Sequence, residues 1–127
     1  MNQNLLYKIK NDLKGDYLYI KSDDIITLDS KINLLESFKN NKALPRSLRV
    51  VDSANNSKLS FSLPGIREIM KKATEVSEEY DSIKYAVVLN NALYVAYLIF
   101  AETITTNSKF SIKVFSTLKA AKIWLEK

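Results

Sequence analysis

The sequence contains no cysteine and no histidine. The first absence removes disulfides, thiolate metal ligands and cysteine nucleophiles. The second removes the Ser-His-Asp and Cys-His nucleophile pairs, and together the two remove the usual ligand sets for zinc. Acid–base chemistry would fall to carboxylates, lysines or tyrosines with strongly displaced pKa values. The chain is therefore read as non-catalytic, with no cofactor and no metal, and an enzyme using carboxylate or lysine chemistry ranks last among the readings.

Glycine and proline are nearly as scarce, at two residues each. Long disordered tracts and linkers are not expected, and one domain spanning residues 1–127 is the natural reading. Gly15 and Gly65 stand alone, so no glycine-rich loop is present to cradle a phosphate. The longest apolar run, Ala92 to Ala101, is ten residues, about half of the roughly 20 needed to cross a bilayer. No integral membrane segment is expected. The opening Met1-Asn-Gln-Asn-Leu-Leu-Tyr-Lys8 lacks the charged-then-apolar layout of a secretory signal, and the expected location is cytoplasmic.

Basic residues outnumber acidic ones by nineteen to fourteen, a net charge of +5. The lysines occur singly, and Lys71-Lys72 is the only adjacent basic pair. Without a basic run interleaved with aromatics, the sequence reads as a solvated lysine-rich surface and no nucleic-acid partner is expected. Asp23-Asp24 fall at a strand-to-helix turn and Glu78-Glu79 point in different directions on a helix, so neither reads as a hydrolytic carboxylate pair.

What is present is a regular alternation of strands and helices. Leu6–Lys10 and Asp16–Lys21 alternate apolar and polar residues across a turn at 11–15, predicting a hairpin. Thr27 caps a helix to about Asn40, with Leu28, Ile32, Leu35 and Phe38 at helical spacing. Ser47–Asp52 is short and β-branched, as expected of a central strand. Ser62 caps a helix to about Tyr80, with Pro64 in its first turn, and Glu75, Glu78 and Glu79 predict a solvated end. Lys84–Leu89 is a further strand, and Asn90 or Asn91 caps a helix from Ala92 to about Thr105. Phe110–Phe115 then runs through a capping Ser116 into a final helix, on which Trp124 reads as a core anchor. The expected fold is α/β: a mixed β-sheet, with an N-terminal antiparallel hairpin followed by parallel strands, flanked by about four helices.

This order, the strand Tyr85-Ala-Val-Val-Leu89 and the closing run Val114-Phe-Ser-Thr-Leu-Lys-Ala-Ala-Lys-Ile-Trp-Leu125 resemble the SpoIIAA-like or STAS superfamily, in particular its small single-domain bacterial members. The resemblance implies a regulatory, protein-interacting module. It also implies a phosphorylation switch at a serine in a motif like Asp-Ser-Ser-Gly-Leu. Aligned on Gly65-Ile66, that motif places Ser62 under the aspartate and Leu63-Pro64 under the two serines, so the switch motif is not intact. The fold's likeness to the lipid-binding SEC14 fold implies a second possibility, a carrier of a lipid or small apolar ligand.

Two stretches are candidate sites. Asp52 ends a strand, where α/β folds often place ligand contacts, and it can equally organise its loop through backbone amides. Ser53, Ser60 and Ser62 are nearby hydroxyls within reach of a kinase, with Ser62 also serving as a cap, and Gly65 follows. The helix from Ala92 is apolar around nearly its whole circumference. Leu93, Tyr97, Phe100 and Ile104 are expected to serve the core. Tyr94, Val95, Leu98 and Ile99 are left as an interface or lipid-facing surface, unless neighbouring helices cover them. The expected partner is a protein or a second copy of the chain, as a homo-oligomer and most simply a dimer.

Overall fold

The computed structural model describes residues 7–104 and 109–127. Leu6 and Thr105, expected ends of the first strand and third helix, lie outside these residues. Two strands, β1 (Lys8–Asp12) and β2 (Gly15–Lys21), form the opening hairpin. A two-residue strand β3 (Ile25–Ile26) precedes helix α1 (Leu28–Asn40). Strand β4 (Ser47–Ser53), a two-residue β5 (Lys58–Leu59) and helix α2 (Leu63–Ser77) follow. The chain continues through β6 (Ser82–Val88), α3 (Ala92–Ile104), β7 (Phe110–Phe115) and α4 (Leu118–Leu125).

The main sheet runs β1-β2-β4-β6-β7, antiparallel at β1–β2 and parallel from there on. This is the expected mixed sheet with four helices. The added β3 and β5 pair in parallel with each other outside the main sheet. They are too short for an alternation signal, and backbone bonds between the two segments hold them together: Lys58 N–H donates to Asp24 O at 2.7 Å and Ser60 N–H to Ile26 O at 3.0 Å.

Alternation along the strands divides the core in two. Leu18, Val50, Tyr85 and Val87 face α1, α2 and α3, where Leu35, Phe38, Ile66 and Ala73 complete the larger cluster. Tyr17, Val51, Ala86 and Val88 face the other way and meet Ala121 and Leu125 of α4. One eight-residue helix thus covers the side of a five-stranded sheet opposite the other three.

The hairpin is closed by Gly15 at φ 123°, a conformation open to glycine and strained for other residues. Arg49 on β4 holds this corner with two bonds to Asp12, at 2.9 and 3.0 Å, and a third to Gly15 O at 2.9 Å. The Arg49 bonds hold the Asp12 carboxyl below its usual pKa.

Local details depart from the sequence reading. The α4 cap is Thr117, one residue beyond the expected Ser116, and its hydroxyl accepts from Ala120 N–H at 3.1 Å. Ser62 stands at the N-cap of α2 but its hydroxyl makes no capping bond. Pro64, at the second helical position, has removed one of the two N–H groups such a cap would serve. The acidic end of α2 is tied to α1: Glu75 meets Lys39 at 3.1 Å and Glu79 meets Lys42 at 3.5 Å. Lys39 in the last turn of α1 and Lys42 just past it supply the positive charge that the α2 terminus lacks.

Candidate functional site

β4 is the central strand, and its β-branched run ends in an acid. Asp52 is 2% exposed, on the side of the sheet that faces the three helices. A carboxylate taken out of water needs partners, or burial costs several kcal/mol. Three side chains distant in sequence supply them. The Ser22 hydroxyl, just past β2, donates to Oδ1 at 2.5 Å. The Tyr85 hydroxyl on the adjacent β6 donates to Oδ2 at 2.6 Å. Lys31 reaches in from α1, forming an ion pair with Oδ2 and a bond to Ser22 Oγ at 3.3 Å. Burial, and secondarily the Asp52 charge, push the Tyr85 hydroxyl well above its ordinary pKa. It therefore stays protonated and acts as a donor.

The cluster sits at the carboxyl ends of the parallel strands, the edge where open α/β sheets place ligands. Beside it lies a void of about 60 Å³ between α2, α3 and the sheet. Apart from Lys31 and Asp52 its walls are apolar, including Phe61, Ile66, Leu98 and Ile112.

The remaining loop candidates stand apart from this cluster. The Ser53 carbonyl accepts from Ser22 N–H at 2.9 Å. The Ser60 hydroxyl donates to Ile26 O at 3.2 Å. Ser62 is exposed. Gly65 is needed for close approach: a Cβ there would lie 2.9 Å from the Cβ of Phe61, which folds back over the first turn of α2 and walls the void. Asp52 is thus brought together with Lys31, Ser22 and Tyr85, and none of the three loop serines joins them.

On α3 the inward stripe differs from the expected one. Tyr94 and Leu98 pack on the core beside Tyr97, Phe100 and Ile104, whereas Leu93, expected inside, is 58% exposed. Ala101 is fully buried on the same inward side, whereas Ala96, on the opposite side, is exposed. Of the four proposed outward residues, Ile99 is 50% exposed, Val95 half-buried, and Tyr94 and Leu98 turned inward.

No protein-family model matches the chain, and no curated protein does. A solved structure does: an uncharacterised protein of the DUF3478 family with a SpoIIAA-like fold, from Shewanella loihica PV-4. It superposes with a TM-score of 0.63 over 98% of both chains, at 20% identity. The fold is SpoIIAA-like. That assignment covers the hairpin, the parallel strands and all four helices of the described residues. No described helix is long and apolar enough to cross a membrane.

Proposed function

We propose that this chain is a non-catalytic interaction module of STAS-like type, without a phosphoserine switch at the start of α2, that associates with a second copy of itself through the outward side of α3. The observation that carries this reading is the exposure of Leu93 and Ile99, at 58% and 50%, on a helix that bears no charged side chain from Ala92 to Ala101. Scattered exposed apolar residues are ordinary, but a helix flank without a single charge is a contact surface in waiting. The Asp52 cluster supports the non-catalytic side of the reading. Its carboxylate oxygens are engaged by three donors, and the space beside it is apolar.

Sedimentation velocity tests the association. The wild-type chain is expected to sediment as a dimer, and the Leu93→Lys/Ile99→Lys variant as a monomer with an unchanged circular dichroism spectrum. A wild-type chain that stays monomeric at high concentration overturns the reading.

The void beneath α3 favours a second reading, a carrier of a small apolar ligand. Its size decides the ranking. Ligand sites usually enclose about 300–1,000 Å³, several times the 60 Å³ present, so a lipid tail would enter only if α3 moved outward. Native mass spectrometry of freshly purified protein separates the two: a carrier shows an added mass of one lipid per chain, and an interaction module shows only whole multiples of the chain.

A further inference from the structure

The lysines that occur singly along the sequence are not scattered in space. Strand alternation sends Lys8 and Lys10 of β1, Lys21 of β2, Arg49 of β4, Lys84 of β6 and Lys113 of β7 to the side of the sheet that carries α4. The helix adds Lys119 and Lys122, and Lys127 follows its end. The acids on this side are Asp12, already bound to Arg49, and Glu126. Nine of the nineteen basic side chains thus share a surface with two of the fourteen acidic ones. That local excess of seven exceeds the net +5 of the whole chain, so the remaining surface is slightly acidic. The lysine-rich surface is a polarised feature, not a uniform one.

We infer that this side, the outer surface of α4 with the flanking β1 and β7 margins, docks onto membranes bearing anionic headgroups. Charge complementarity is the first argument, because each lysine brought near an anionic bilayer strengthens binding about fivefold. The second is what stands among the lysines. Leu118 and Ile123 on α4 are 41% and 50% exposed, next to Lys119 and Lys122. That combination suits shallow insertion at the headgroup boundary. The third argument turns against single-stranded nucleic acid, which would use the same charge but stack its bases on open aromatic rings. Here the rings are occupied. Lys10 lies 4.4 Å from the Tyr19 ring centre, Tyr17 is buried beneath Lys122 at 5.7 Å, and Trp124 is held between Phe115 and Lys84 at 5.6 and 5.1 Å. This surface presents charge and aliphatic carbon, and little free aromatic area.

The test is co-sedimentation of the full chain with phosphatidylcholine vesicles, with and without phosphatidylserine. Binding is expected only with phosphatidylserine. It should vanish as salt rises from about 0.1 to about 1 M, which shortens the screening length from about 10 to about 3 Å. Lys113→Gln/Lys119→Gln should weaken it roughly 25-fold, at about fivefold per lysine. Lys58→Gln/Lys71→Gln carries the same charge change on exposed residues outside this surface and should leave binding unchanged. All four lysines are exposed, so both variants should fold, which circular dichroism checks. Three results would overturn the inference: no partition onto anionic vesicles, equal weakening by both variants, or tighter binding to a single-stranded oligouridylate than to vesicles.

Discussion

Lys31→Met is expected to lower the unfolding free energy by about 3–5 kcal/mol, because it strips the counter-ion from a buried carboxylate. Asp52 is 2% exposed and Lys31 is the one cation in contact with it among the described residues. Ser22 and Tyr85 would still donate to the carboxylate, but neither neutralises it. The loss is expected in denaturant titrations as an earlier midpoint with an unchanged slope. Two companions make the test specific. Lys42→Met removes an exposed partner of Glu79, a pair that is 75% and 41% exposed, and should cost less than about 1 kcal/mol. Lys31→Met/Asp52→Asn removes both charges and should recover much of the lost stability. If Lys31→Met were no more harmful than Lys42→Met, the cluster would not be the desolvated ion pair described above.

Phe38→Ala should be comparably damaging, at about 3–5 kcal/mol, through the cavity it leaves. Phe38 is fully buried near the end of α1, its ring 5.7 Å from that of Tyr7, and its carbonyl accepts the Tyr80 hydroxyl at 2.6 Å. Trp124→Ala is the informative contrast. Trp124 is only half-buried, packed against Phe115 on the lysine-rich side, so thermal unfolding should register a distinctly smaller shift despite the larger side chain removed. Equal shifts would mean that the thin α4 layer contributes as much as the three-helix layer.

The hairpin, the later alternation of strands and helices and the central placement of β4 were legible in the sequence, because each rests on a local period or a turn residue. Asp52 was legible as a candidate too. Its partners were not, since Ser22, Lys31 and Tyr85 lie 21 to 33 residues away and meet only through strand pairing and the return of α1. One signal was available: Lys31 occupies the apolar stripe of α1, between Leu28 and Leu35, where a charge has to be answered from across the core. The rotation of α3 was hidden for the opposite reason. A helix apolar on all sides gives periodicity nothing to choose between, and only its packing against α2 and β7 decides which side turns inward. The clustering of lysines was invisible because alternation scatters in sequence what the sheet gathers in space.

The position of β1 at the outside of the sheet has a further consequence. A free strand margin is an invitation to templated polymerisation, and proteins commonly defend it with charge. β1 is five residues long and reads Lys-Ile-Lys-Asn-Asp, with like-charged neighbours that would be brought together if a second such strand were laid alongside in register. Parallel, in-register growth by adding strands is therefore disfavoured along that margin.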